Sequence, residues 1–353
     1  MKKLAVLGNG RVAQHYERIL STYFTDSEYA VTDVIDNNPD KLANIVYPQC
    51  SKHTSLSKFL NSKSGKLVHY VLVCTPSFLH FEHTKQLLEA NIIPIVEKPP
   101  VLRVSEIEKL EEIEKKTGLK AIYIFQNRFN PTVQYVKDLI KQNMLGSIVS
   151  AAVVLRWCRE NSYYEDEWHG RWALDGGVSA QQGIHHLDAL QYLAGDLKSV
   201  ACKRANIINK MEAEDTLVGI GELLCGGLAT IELTVAARPE DFEASISLTG
   251  SKGFVKIGGI ALNKLETLML SDNGKLKNFD TEAYDDEITQ GYGISHHRQL
   301  QEIFDDSLPN RFSLEDVQNT VILLHSLHVA AETGRHVSLS EKKESKMLGA
   351  KHG

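Results

Sequence analysis

Cysteine is scarce: Cys50, Cys74, Cys158, Cys202 and Cys225 are five in 353 residues, odd in number and never in a Cys-x-x-Cys pair. This excludes a disulfide framework and a zinc ribbon, and it fits a reduced, cytosolic protein. No apolar run reaches the length of a membrane span. The opening apolar run stops at Gly8-Asn9-Gly10-Arg11, too early for the core of a signal peptide. Neither sign of charge dominates. The 39 Lys and Arg stand against 45 Asp and Glu, and a net charge of −6 argues against nucleic acid as a partner. Repeats and low-complexity tracts are absent. Metal-ligand spacing is absent too: His80 and His83, or the adjacent His185 and His186, lack a completing donor, so no metal is expected.

What is present is a globular composition on a chain too long for one ordinary core, so two domains are expected. Over the first 125 residues, apolar runs at 4–7, 30–35, 68–74, 92–96 and 121–125 alternate with helical spacing. The clearest helix is expected over 105–118, with Ser105 and Glu108 as a capping box and Gly118 as its stop. Strand–helix alternation argues for a parallel sheet covered by helices. Later, a helix is expected over 132–141, a strand over 148–157 and a helix over 178–194. Period-two alternation follows from about 200 to 270, as in Ala229, Ile231, Leu233 and Val235, and points to half-buried antiparallel strands. Helices over 296–304 and 314–333 close the fold. The expected domains are 1–125 for a dinucleotide, 126–340 for substrate and oligomerisation, and a charged, frayed tail over 341–353.

Gly8-Asn9-Gly10-Arg11-Val12-Ala13 is a G-x-G-x-x-A sequence that follows a strand and opens a helix. Its first glycine permits a tight turn, its second lets backbone approach a pyrophosphate, and the helix N-terminus offers N–H groups. Asp36 ends the second strand, 23 residues after Ala13, where a carboxylate accepts ribose hydroxyls and repels a 2′-phosphate. No Arg follows it closely, so NAD is favoured over NADP, with Lys41 the one nearby cation.

Four further segments follow in order: Cys74-Thr75-Pro76-Ser77-Phe78-Leu79-His80, Glu97-Lys98-Pro99-Pro100, Gln126-Asn127-Arg128-Phe129-Asn130-Pro131, and Gly176-Gly177-Val178-Ser179-Ala180-Gln181-Gln182-Gly183-Ile184-His185-His186-Leu187-Asp188. Together they resemble the Gfo/Idh/MocA family of NAD(P)-dependent sugar and cyclitol oxidoreductases over nearly the whole chain. Glu97-Lys98-Pro99 is the most specific element. The stretch from Tyr163-Tyr164 to His185 looks most like the nucleotide-sugar branch, which includes dehydrogenases of UDP-N-acetylglucosaminuronic acid. The resemblance implies an α/β chain with an N-terminal Rossmann domain and a C-terminal α+β domain built on a large, mainly antiparallel open sheet. It also implies that Thr75, Pro76, His80, Glu97, Lys98 and Gln126 join Gly8, Asn9, Gly10, Arg11, Val12 and Asp36 in holding the cofactor.

By that resemblance Lys98 lies beside the reacting carbon, where an ammonium stabilises alkoxide character. His185 is the acid–base candidate, since imidazole titrates near neutral pH. On one continuous helix Gln181, His185 and Asp188 would share a face. Many family members carry Asp where this chain has Gln181. An amide orients an imidazole but supplies no charge, which leaves open whether His185 or Lys98 takes the proton. Arg156, Tyr163, Tyr164, Trp168 and Arg171 are substrate-side candidates, because guanidinium forks suit anions and flat rings suit sugar faces or uracil. A loop packing its own aromatics is the competing reading. Of His296 and His297, the resemblance favours His297 beside the sugar. The expected activity is hydride transfer between a sugar secondary hydroxyl and NAD. A ketosugar or cyclitol reductase, an NAD-retaining glycosidase and a nucleotide-sensing binding protein are the alternatives. A sheet face without helical cover suggests a homodimer or homotetramer.

Overall fold

The computed structural model describes residues 2–24, 29–45, 47, 49–272, 275–278, 285–286, 295–305 and 312–350. The last three residues of the expected charged tail, 351–353, lie outside the described residues. The chain divides into two compact units, Met1–Ile124 with His296–Gln318, and Phe125–Ser295 with Asn319–Gly353.

In the first unit, β1 (Lys2–Leu7), β2 (Tyr29–Ile35), β3 (Ser51–His53), β4 (Tyr70–Val73), β5 (Ile93–Val96) and β6 (Ile122–Tyr123) form one sheet in the order β3-β2-β1-β4-β5-β6. Every pair is parallel. The order reverses between β1 and β4, and such a reversal opens the crevice in which parallel sheets bind ligands. The helices of this part are α1 (Arg11–Tyr23), α2 (Pro39–Ala43), α3 (Leu56–Leu60), α4 (His80–Glu89) and α5 (Val104–Thr117). β4 is buried throughout, as expected of a central strand covered on both faces. β3 escaped the sequence reading because Ser51-Lys52-His53 has no apolar residue. It pairs with β2, and the His53 ring reaches buried Asp33 at 2.7 Å.

The start of α5 differs from the expected cap. The helix begins one residue earlier, and Glu106, not Glu108, turns back to accept from the Leu102 and Arg103 N–H groups, each at 3.2 Å. Gly118 does end it, at φ +74°.

In the second unit, β7 (Ile148–Arg156), β8 (Leu197–Ala205), β9 (Thr216–Leu223), β10 (Leu228–Thr234), β11 (Glu243–Gly250), β12 (Gly253–Gly258), β13 (Lys264–Asp272), β14 (Lys275–Asn278) and β15 (Val337–Ser338) form a sheet ordered β14-β13-β12-β11-β7-β10-β9-β8-β15. It is mostly antiparallel, but β10 runs parallel to β7. The chain leaves β7 through α7 (Val178–Gln181) and α8 (Ile184–Ala194) before returning, and such a crossover permits a parallel pair. α6 (Pro131–Lys141) precedes β7. Ala151, Val153 and Leu155 of β7 are buried, as are Ile231 and Leu233 of β10 and Leu187 and Leu190 of α8. The alternate residues form the open face, where Val218, Ile220, Leu228 and Phe254 are exposed.

Two further helices, α9 (His296–Phe304) and α10 (Leu314–Thr333), follow. α9 belongs to the first unit rather than to the expected second domain. Its Leu300 and Phe304 are apolar and buried, Phe304 stacks on Tyr29 at 3.9 Å, and Gln299 donates to the Tyr123 carbonyl.

The tail is not frayed through Gly349. Leu348 is fully buried, Gly349 N–H donates to the Trp172 carbonyl at 2.8 Å, and the Ser345 hydroxyl and Lys346 N–H donate to Glu332. The apolar pair Met347-Leu348 after a charged run was the signal for this.

Candidate active site

The first unit builds a cradle at the ends of β1 and β2. Gly8 has φ +90°, and a Cβ there would lie 2.8 Å from the Cys74 carbonyl oxygen, so only glycine fits. Gly10, by contrast, has open space where its Cβ would be. It begins α1 without a side-chain cap, which leaves first-turn N–H groups for an anion. Arg11 is exposed and Val12 half-buried in that turn. Asp36 is buried and fixed by two backbone donors, Asn9 N–H at 2.7 Å and Asn38 N–H at 2.8 Å. Asn9 also donates its side-chain amide to the Lys41 carbonyl at 2.8 Å.

Thr75 and Pro76 follow β4, and the Thr75 hydroxyl pairs with His83 at 3.0 Å. His80 is not available to a cofactor as expected. Its ring is buried, with Nδ1 2.7 Å from the Pro99 carbonyl and Nε2 2.8 Å from the Thr75 carbonyl. It ties the turn after β4 to the turn after β5.

At the end of β5, Glu97 is buried and both its oxygens are engaged. Tyr16 donates to Oε1 at 2.5 Å and Lys98 N–H to Oε2 at 3.1 Å. Burial raises the Glu97 pKa, while the Tyr16 bond and the Lys98 charge oppose it. Lys98 itself is half-buried. His296 Nε2 lies 4.0 Å from Glu97 Oε1, and its Nδ1 lies 3.3 Å from His15 Nε2. His297 stacks instead on Tyr23 at 4.3 Å. The residue of this pair that faces the Glu97-Lys98 motif is therefore His296, with Tyr16 and His15 beside it. The sequence names His296 but favours His297, and Tyr16 and His15 were missed. Tyr16 and His15 lie among the apolar residues of α1's buried face, where a polar side chain was the available signal.

In the second unit, Gln126 is buried, and its Oε1 has no hydrogen-bond partner among the described residues. Arg128 makes a two-pronged contact with Asp188, Nε to Oδ2 at 2.8 Å and Nη2 to Oδ1 at 2.6 Å, and Thr320 donates to Oδ1 at 3.0 Å. Asp188 thus anchors α8 and is not a solvent-facing acid.

The expected continuous helix over 178–194 is broken at Gln182-Gly183. A Cβ on Gly183 would meet Leu233 Cδ1 at 2.6 Å and the Val178 carbonyl oxygen at 3.0 Å, so glycine lets this turn pack closely on β10. Gln181 and His185 therefore belong to different helices, and the one-face argument for them fails. Gln181 is buried, while His185 is half-buried with its ring edge-on to Phe125 at 6.0 Å.

The substrate-side arginines separate. Arg156 binds Glu232 through Nε at 2.6 Å and Nη2 at 2.7 Å, and Glu243 through Nη1 at 2.9 Å. Lys256 continues the row to Glu243 and Glu266, an alternating ladder across β10, β7, β11, β12 and β13. The Arg156 fork is thus committed within the sheet, because its strand register places carboxylates on both sides. Arg171 is exposed. Tyr163, Trp168 and His169 cluster, with Trp168 3.7 Å and Tyr163 4.6 Å from the His169 ring. Tyr164 packs against Gly170, and burial raises its hydroxyl pKa.

Two family descriptions fit this chain. "Oxidoreductase family, NAD-binding Rossmann fold" matches residues 2–125, and "GFO/IDH/MocA C-terminal domain" matches residues 133–256. The chain belongs to the Gfo/Idh/MocA family. It is an NAD-binding oxidoreductase. A D-glucoside 3-dehydrogenase of Escherichia coli is 25% identical, with 96% of this chain and 97% of that protein covered. A glucose-6-phosphate 3-dehydrogenase of Bacillus subtilis is 24% identical over 71% of this chain and 73% of its own. The WlbA dehydrogenase of Chromobacterium violaceum, solved with NADH and UDP-GlcNAcA, superposes with a TM-score of 0.86 at 25% identity, covering 96% of this chain and 95% of that one.

The first-unit cradle of this Gfo/Idh/MocA protein fits NAD on its own chemistry. Gly10 has room for a pyrophosphate, the uncapped α1 N–H groups would donate to it, and the fixed Asp36 carboxylate would accept from ribose hydroxyls. Among the described residues no group of His, Cys, Asp and Glu is arranged to hold a metal ion.

Proposed function

We propose that this enzyme oxidises a secondary hydroxyl of a sugar that is nucleotide-linked or carries a uronic acid. The observation that carries the reading is the locked Glu97-Lys98 pair at the end of β5, in the unit that holds the dinucleotide cradle. When bound, the nicotinamide supplies the hydride acceptor. Lys98 hydrogen-bonds the reacting hydroxyl and stabilises charge as it develops on that oxygen. His185 or Lys98 takes the hydroxyl proton, and Gln181, on the helix before the one that carries His185, is assigned a substrate-side role. Glu97, held by Tyr16, fixes the backbone that presents Lys98. Arg171 is the exposed cation assigned to an anionic group, with Tyr163 and Trp168 as flat surfaces for rings.

The relatives' names support the substrate class: two act at carbon 3 of a hexose, and one binds a nucleotide-linked uronic acid. The five cysteines are free of disulfides, which supports a reducing, cytoplasmic setting. A second copy of the chain is assigned to the open sheet face, where Val218, Ile220 and Leu228 are exposed together. A monomeric mass by light scattering would remove that assignment.

The test of function is NADH formation from NAD with UDP-sugars, glucosides, hexose phosphates and cyclitols. The UDP-linked uronic acid is expected to lead. Lys98→Ala should lower turnover at least 100-fold. Near-normal turnover in that variant on the best substrate would refute the reading.

A further inference from the structure

Behind α7 the second unit contains a buried polar chain whose direction is fixed at one end. Arg204 contacts His328 Nδ1, and a guanidinium only donates, so Nδ1 must accept and Nε2 must carry the proton. Nε2–H then donates to Ser179 Oγ at 2.9 Å, and Ser179 donates to Glu214 Oε1 at 2.5 Å. Ser179, Glu214 and His328 are each at most 1% exposed. This order excludes a nucleophilic serine, because the hydroxyl proton points to the carboxyl and the imidazole donates rather than accepts. The chain instead grips the first turn of α7. Glu214 Oε1 also accepts the Ser179 N–H at 3.2 Å, and the Glu214 carbonyl accepts the Val178 N–H at 2.9 Å. A Cβ on Gly177 would lie 2.3 Å from Glu214 Cδ, so Gly177 is the residue that lets the carboxyl approach.

The far end of the chain is held by the C-terminal segment. Arg204 donates to Glu332 at 3.1 Å and lies over the Trp172 ring at 4.1 Å. The Ser345 hydroxyl and the Lys346 N–H donate to Glu332, Gly349 N–H donates to the Trp172 carbonyl, and Leu348 packs against Gly176. α8, which carries His185, has its own anchor in Arg128 and Asp188. α7, which carries Gln181, has this one.

We propose that Glu214, braced by Ser179, His328, Arg204 and the C-terminal segment 345–349, is the positioning residue for Gln181. The inference rests on the sugar-dehydrogenase reading, in which Gln181 acts on the substrate side. Glu214 touches neither substrate nor cofactor. Its effect passes through α7, whose four residues have no room to tilt independently of their first turn.

The experiment is a double-mutant cycle between Glu214→Ala and Gln181→Ala, read as kcat and KM for the sugar and as the Kd for NADH. Each single variant should lose about 10- to 100-fold in kcat/KM, the scale of a small misplacement of a positioning group. The double variant should lose no more than the worse single. Glu214→Gln should recover most of the loss, because its amide oxygen still accepts from Ser179, and NADH affinity should stay within about twofold. Losses that multiply in the double variant, or wild-type kcat/KM in Glu214→Ala, overturn the proposal. Should Glu214→Ala not fold, Leu348→Ala replaces it in the same cycle, with a loss of about threefold expected and the same multiplicative outcome overturning it. Lys98→Ala separates the two levels. If Lys98→Ala is inactive while Glu214→Ala is normal, only this inference falls. If Lys98→Ala is active, the underlying reading falls with it.

Discussion

Asp188→Ala removes the acceptor of a guanidinium that the second unit has almost fully enclosed. The Arg128 and Asp188 side chains are 12% and 1% exposed. Two charge-assisted bonds, at 2.8 and 2.6 Å, and the Thr320 bond are lost together. Breaking a buried pair by deleting one partner costs about 3–5 kcal/mol, since the surviving charge stays desolvated. Arg128 keeps cation–π contacts with Tyr192 at 5.1 Å and Phe125 at 5.9 Å, which places the expected loss near the lower end, about 3 kcal/mol. The assay follows from the tryptophans. All three, Trp157, Trp168 and Trp172, belong to the second unit, so their fluorescence during urea unfolding reports on that unit alone. Asp188→Asn should cost less, because its carbonyl still accepts from Thr320 or Arg128. A loss below about 1 kcal/mol for Asp188→Ala would refute the claim that this pair anchors α8.

Gly8→Ala places a methyl 2.8 Å from the Cys74 carbonyl in a left-handed backbone, so the cradle must shift and NADH affinity should fall at least tenfold by fluorescence titration. Arg156→Met should leave substrate KM within about twofold, since its fork is bound to Glu232 and Glu243, whereas Arg171→Ala should raise KM at least tenfold for an anionic sugar. Buried His186, edge-on to Trp157, is held down to about 4 by desolvation, against 6.5 when unfolded. Below pH 6.5 the unfolded chain binds a proton that the native state refuses. Stability from this group is therefore complete above pH 6.5 and falls toward pH 4, by about 2 kcal/mol at pH 5. Tryptophan-detected urea unfolding at pH 7 and pH 5 should show at least that loss, because buried His328 adds to it in the same direction, and His186→Phe should remove about 2 kcal/mol of it.

Period and punctuation made much of the fold legible in the linear chain. The five apolar runs of the first unit, the glycines at 8 and 10 and the acid at 36 are local signals, and each is explained by its neighbours in sequence. α9 was bounded from residue spacing alone because amphipathic periodicity needs no tertiary information. β3 was not legible, since three polar residues form a strand only when β2 offers its edge.

The site divides in the same way. The sequence by itself determined the Glu97-Lys98-Pro99 motif, the dinucleotide turn and the identity of Gln181 and His185. Only the tertiary structure decided what each polar group faces. It gave Arg156 to two sheet carboxylates, turned His80 into a brace between loops, set His296 rather than His297 against Glu97, and broke the helix between Gln181 and His185. The physical reason is range. Backbone preference and apolar periodicity act over a few residues, whereas a buried charge or imidazole is governed by whichever partner the fold brings within about 3 Å, often a hundred residues away in the chain.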